Sequence, residues 1–359
     1  MTGKEDTMDL VVLLDGTWND LNENTNVSQI YERLVAAPGN GHDYRCHYVP
    51  GVGTGRFDRL RGGIFGFGLD DNIREGYRFL AANWRSEQDR IFLIGYSRGA
   101  FTARSLAGMI AKCGLADLSA IGDEELFARY RDTDAPGLRE LREDHGLAAT
   151  PADHALLDGS RLVRIRFVGV FDTVGALGIP GTLGRWLSRR RYQFHDTQLS
   201  GLVDQACHLM AVDERRRQFA PTLWTGVPRP TPGHPTVVEQ RWFVGAHGDV
   251  GGGGSEQPPL AALTREWLVE RAAAAGLAIS AEPVPDAAWQ GVCHDPSSSG
   301  IWRILRLLPG NGPYLRPMHT GADEVLDGSV VRRWGWGAPP YRPANPSLRD
   351  WVRQLSGTG

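Results

Sequence analysis

Gly95-Tyr96-Ser97-Arg98-Gly99 carries the strongest chemical signal in the chain. It follows the apolar run Arg90–Gly95 and opens a helical pattern over Arg98–Ile110. Strand, tight turn and helix are the setting of a nucleophile elbow, in which small flanking residues let the serine hydroxyl project above a sheet. A serine hydroxyl is a weak nucleophile until a base takes its proton, and the base needs an orienting acid. In the elbow arrangement the chain order is serine, acid, histidine. Two acids qualify, Asp172 after the strand next to follow the serine and Asp249 after the one beyond. The later position is the usual one, so Asp249 is the expected acid. Asp172 is the alternative, or a structural carboxylate in a glycine-rich turn. Only His294 and His319 follow Asp249. His294, in VCHDPSSSG between two helical patterns, is the expected base. His319, in PMHTG, competes with it, as does His247, which otherwise lines the pocket.

The run Asp15-Gly16-Thr17-Trp18-Asn19 ends an earlier strand. An early loop of this kind supplies the second oxyanion N–H, so Gly16 or Thr17 is expected to act with the Arg98 N–H. Asp15 is expected to orient that loop. It lacks the preceding aspartate of a haloacid-type DxDGT site. PGVGTG resembles a phosphate loop, but no GK[ST] follows. Asp15, Asp172, His247 and Asp249 could hold a metal for phosphoester chemistry, at spacings that are not diagnostic. No metal or cofactor is expected.

These residues need a frame that brings them to one edge. Apolar runs at Asp9–Leu14, Arg45–Val49, Arg90–Gly95, Arg161–Phe171 and Arg241–Ala246 read as strands. Helical spacing covers Val27–Ala37, Asp71–Trp84, Arg98–Ile110, Pro259–Ala275 and Gly300–Leu308. Continuous apolar strands alternating with helices predict an α/β fold with a parallel sheet covered on both faces. Ligands then sit beyond the carboxyl ends of the strands. The glycine excess, 45 of 359 residues, lies largely in the loops there. The expectation is an α/β-hydrolase-like fold, a mostly parallel central sheet with helices on both faces and lid insertions. It forms one domain over 1–359, with 179–236 as a lid within it. The tail after Ser329 is expected to be irregular.

With 39 basic and 42 acidic side chains the net charge is −3, so bulk electrostatics excludes a nucleic-acid partner. The first residues carry no signal-peptide pattern, and no run is long enough to span a membrane. The four cysteines have no CxxC spacing. A cytoplasmic protein is therefore expected. In GRWLSRRRYQF the four arginines from Arg185 to Arg191 lie beside Trp186, Leu187, Tyr192 and Phe194, which suits either a peripheral contact with an anionic lipid surface or a solvated lid helix.

Several segments together resemble the catalytic domain of the type VI secretion lipase effectors. They are LLDGTWN, YVPGVGTG, GYSRGAFTARSLAG, VFDTVGALG, HLMAVDERRRQFAPTLW, WFVGAHGDVGGG, CHDPSSSGIW and SVVRR…YRPAN, in family order from about residue 10 to 346. The resemblance implies an α/β-hydrolase fold, Ser97 as nucleophile, Asp249 as acid and phospholipid esters as substrate class, and is consistent with His294 as base. Two positions depart from the family pattern: Asp327 stands where a histidine is typical, and Gly254 where a tyrosine closes the glycine loop. By its length the chain is also expected to lack the membrane-anchoring module of such effectors. The expected function is serine hydrolysis of carboxylic esters, most readily phospholipid or other lipid acyl esters. The competing readings are a catalytically weak binding module on the same scaffold and the metal-assisted phosphoesterase.

Overall fold

A computed structural model of the chain describes residues 7–17, 19–36, 43–52, 68–175, 199–228, 234–254, 258–296 and 314–357. Seven strands form one sheet: β1 (Met8–Leu14), β2 (Asp43–Val49), β3 (Arg90–Tyr96), β6 (Ile165–Phe171), β7 (Val203–Ala211), β8 (Val237–Phe243) and β9 (Glu324–Leu326). The two-residue strands β4 (Leu115–Ala116) and β5 (Ser160–Arg161) pair with each other, antiparallel. All pairings in the large sheet are parallel, in the order β2-β1-β3-β6-β7-β8-β9.

The layers follow from the alternation of side chains along each strand. On β1, Leu10, Val12 and Leu14 face one cluster with Tyr77 and Leu80 of helix α2 (Leu69–Asn83) and Leu106 and Ile110 of α3 (Arg98–Cys113). Val11 and Leu13 face the other, with Ile30 and Leu34 of α1 (Asn26–Ala36). Leu268 and Val269 of the long helix Pro259–Ala274 complete that second cluster. Every residue of β1 is buried. A strand covered on both faces has no use for polar alternation, hence the continuous apolar run. Each such Leu, Ile or Val contributes roughly 1.5–3 kcal/mol of burial.

The chain steps one way from β1 to β2 and the other way to β3. That reversal is a topological switch point, where ligands bind beyond the carboxyl ends of parallel strands. Register brings the chemistry there. Leu14 lies opposite Gly95, which sets the Asp15–Thr17 loop beside the elbow. Tyr96 lies opposite Phe171, which sets Asp172 beyond the adjacent strand.

Two stretches differ from expectation. β7 is an interior strand inside the 179–236 stretch expected to be a lid. Asp204, Gln205 and His208 interrupt its apolar run, and their polarity is satisfied locally. Asp204 pairs with Arg164, and His208 is bonded by Thr173 and Gln240. The C-terminal tail is not irregular. After Ser329 it completes the helix Gly328–Arg333 and forms the helix Pro346–Leu355, which bury Val330, Leu348 and Val352 in one cluster with Met210 and Trp242. The Arg185–Arg191 stretch and the helical pattern at 300–308 lie outside the described residues. Among the described residues, no helix is long and apolar enough to cross a membrane.

Candidate active site

Ser97 sits between β3 and α3 with φ 58° and ψ −117°, a left-handed φ that costs a non-glycine residue about 1–3 kcal/mol. Two glycines make the turn fit. A β-carbon on Gly95 would lie 2.6 Å from the Gly99 carbonyl oxygen, and one on Gly99 would overlap the carbonyl oxygens of Leu14 and Asp15. The Ser97 N–H donates to the Phe171 carbonyl at 2.9 Å, tying the elbow to the end of β6.

The histidine in contact with Ser97 is His247. Its Nε2 lies 2.8 Å from Ser97 Oγ, and its Nδ1 lies 2.5 Å from Asp172 Oδ2. His247 begins the short helix His247–Gly251 after β8 and is buried, with its ring against Tyr96 (4.9 Å) and edge-on to Phe219 (4.8 Å). Nδ1–H donates to the carboxylate and Nε2 is left to accept the serine proton, the tautomer that this bonding pattern requires.

Asp172 is fully buried at φ 41°. Its Oδ1 accepts the Ala211 N–H at 3.0 Å, and the Arg316 guanidinium grips both oxygens, at 2.5 and 2.8 Å. Burial pushes its carboxyl up, but the Arg316 charge and hydrogen bonds, with those of His247, outweigh it and hold the group far below the usual carboxylate range.

The expected partners of Ser97 lie elsewhere. Asp249 is a buried residue of the same short helix, and its Oδ2 accepts the N–H groups of Ala246 (2.8 Å) and His294 (3.0 Å). Its Oδ1 holds His294 Nδ1 at 2.5 Å. The His294 side chain is 60% exposed, and its described partner is Asp249, not the serine. His319 packs against Trp351 (4.1 Å), and its N–H donates to Glu324. The structure thus brings together Ser97 and the two residues first read as alternatives, and leaves Asp249–His294 as a separate pair.

The early loop borders the elbow as expected. A β-carbon on Gly16 would lie 3.3 Å from Ser97 Cβ. Its N–H, however, donates to Asp15 Oδ1 at 2.7 Å, so the two oxyanion candidates are not equivalent. The Thr17 hydroxyl is buried without a hydrogen-bond partner. Arg98 opens α3, where first-turn amides point out of the helix. Burial lowers its guanidinium to about 10, still charged at neutral pH. Asp15 anchors the loop through Thr25 Oγ1 (2.5 Å) and Tyr48 Oη (2.7 Å). Burial raises its carboxyl to about 6 against the lowering effect of these donors.

Asp172 and His247 bond each other, whereas Asp15 is held by Thr25 and Tyr48 and Asp249 by His294, so the four do not meet at one point; no group of three or more side chains that could hold a metal ion is found among the described residues.

Sequence reasoning missed three participants. Arg316 lies far along the chain in PYLRPM, where nothing signals a partner 144 residues away. Glu214 accepts the His247 N–H at 3.3 Å and is gripped by Arg216. His208 accepts the Thr173 N–H at 3.0 Å, bracing the Asp172 turn, and burial lowers it to about 3, so it is neutral. Only ERRRQF, a charged cluster just after an apolar run, hinted at the second.

Residues 8–271 match the family described as the T6SS phospholipase effector Tle1-like catalytic domain. The chain belongs to this family. A yeast (Saccharomyces cerevisiae) relative, the uncharacterized protein YEL023C, is 31% identical over 242 residues, 61% of this Tle1-like chain and 33% of its own length. Among solved structures, an uncharacterized Pseudomonas aeruginosa protein is 18% identical over 81% of this chain and 48% of that one, with a TM-score of 0.40. The Tle1 effector bound to the VgrG spike is 17% identical over 70% of this chain and 52% of that one, with a TM-score of 0.32. The Tle1-like chain thus spans about a third of the yeast relative and about half of each solved chain.

Proposed function

We propose that the chain hydrolyses carboxylic esters through a serine acyl-enzyme, with Ser97 as nucleophile, His247 as base and Asp172 as orienting acid. One observation carries this reading: the unbroken bonding line Ser97 Oγ–His247 Nε2 (2.8 Å) and His247 Nδ1–Asp172 Oδ2 (2.5 Å), at the switch point of a parallel sheet. His247 takes the Ser97 proton as Oγ attacks the ester carbonyl. The oxyanion is held by the N–H groups of Thr17 and Arg98, because the Gly16 N–H is occupied by Asp15. Collapse expels the alcohol, which leaves with the proton from His247. Water, deprotonated by His247, then releases the acid and restores Ser97. Asp172 stabilises the imidazolium at both stages.

Phospholipid or other lipid acyl esters are the substrate class that family membership favours. Peripheral membrane contact through Arg185–Arg191 remains part of this proposal. The test is hydrolysis of a short-chain nitrophenyl ester and of a phospholipid panel read by mass spectrometry. Ser97→Ala should lower turnover about 10⁴-fold or more. Undiminished hydrolysis by that variant overturns the reading.

A further inference from the structure

Arg316 stands outside the serine–histidine–acid set, yet it makes more bonds to the acid than His247 does. Its Nη1 donates to Asp172 Oδ1 (2.5 Å) and to the Ala211 carbonyl (2.9 Å), its Nη2 to Asp172 Oδ2 (2.8 Å) and to the Phe219 carbonyl (2.7 Å). Both side chains are wholly buried. A guanidinium fork of this geometry fixes a carboxylate in rotation as well as in position. The grip on Phe219 matters too, because that ring packs edge-on against His247. Arg216 lies 3.7 Å over the same ring and holds Glu214, which accepts the His247 N–H.

We propose that Arg316 is a positioning residue of the site: its fork aims Asp172 Oδ2 at His247 Nδ1, and its charge offsets that of the buried carboxylate. This rests on the reading of Ser97, His247 and Asp172 as the reacting set. Without the guanidinium, the buried pair Asp172–His247 carries an uncompensated negative charge, and it takes up a proton at higher pH whichever partner is assigned the proton. The other charged or titratable groups around the pair are Glu214 and Arg216 after β7, Tyr96 on β3, neutral His208 on β7, and Asp249 on the short helix of His247.

The experiment is the pH dependence of kcat/KM for a soluble nitrophenyl ester, measured on the full chain with Ser97→Ala as the control. In Arg316→Gln and Arg316→Met the acid limb should move up by about 1–3 pH units, as expected for loss of an opposite charge in contact. An acid limb at the wild-type pH in a folded Gln or Met variant overturns the proposal. If neither variant gives a cooperative melting transition, Arg316→Lys decides. It keeps the charge but loses the fork, so the acid limb should hold while kcat falls about tenfold at unchanged KM. Wild-type kcat in the Lys variant overturns it. Activity surviving in Ser97→Ala would instead defeat the underlying site assignment, so the two failures are distinct.

Discussion

Asp172→Asn separates the two claims on this carboxylate, because the amide keeps its shape and loses its charge. Asp172 Oδ2 now accepts from both His247 Nδ1 and Arg316 Nη2, while Oδ1 accepts from Arg316 Nη1 and the Ala211 N–H. An amide has only one acceptor end. With its oxygen on Arg316 and Ala211, its NH₂ faces His247 and forces Nδ1 to accept. Nε2 then carries the proton and can no longer take one from Ser97. The expected loss is about 10⁴ in kcat/KM, the size seen where a triad acid is made neutral and the tautomer reversed. Stability suffers separately. Breaking a buried ion pair from one side costs about 3–5 kcal/mol, and the low end applies here because Arg316 keeps the Ala211 and Phe219 carbonyls. Nitrophenyl-ester kinetics at neutral pH gives the first number, and urea unfolding the second. A folded Asp172→Asn variant within tenfold of wild-type activity would refute the reasoning.

The Asp249–His294 pair behaves differently: His294→Ala should leave kcat/KM within about fivefold of wild type in the same ester assay, since its exposed ring bonds Asp249 rather than the serine. Gly99→Ala should abolish activity or soluble folding, detected by circular dichroism and ester hydrolysis, because its β-carbon overlaps the Leu14 and Asp15 carbonyls and drives the oxyanion loop from the elbow. Burial raises the Asp15 carboxyl from 3.8 to about 6, so the folded chain binds that proton more tightly than the unfolded one. The stabilisation is complete below about pH 4 and is lost as pH rises through 6, a change of about 3 kcal/mol. Unfolding free energies of Asp15→Asn, measured against wild type between those pH values, should diverge in the variant's favour as pH rises, and a flat difference contradicts this.

The fold was legible where burial on both faces demanded unbroken apolar runs, as in β1 and β3, and where helical spacing was clear, as in α1, α2 and α3. The elbow was legible because close packing leaves only glycine at 95 and 99. The rest of the site was not. β7 hides three polar residues inside the sheet, and His208 and Gln240 satisfy each other only once the chain is folded. Its polar residues keep it from reading as a strand in the sequence, so Asp249 lies one strand further from Ser97 than the apolar runs suggest. His247 and Asp249 are two residues apart on the same turn, yet one faces Ser97 and the other His294. Sequence spacing does not distinguish such neighbours, whereas the direction of the helix start does. Arg316 was illegible because a buried ion pair depends on tertiary approach alone.

Reaction with a fluorophosphonate probe, mapped by mass spectrometry, tests the central claim most directly. The adduct should form on Ser97 in wild type and in His294→Ala at comparable rates, and in His247→Ala it should slow by about 10³-fold or more. Wild-type labelling of His247→Ala, or loss of labelling in His294→Ala, would contradict the assignment of His247 as the base.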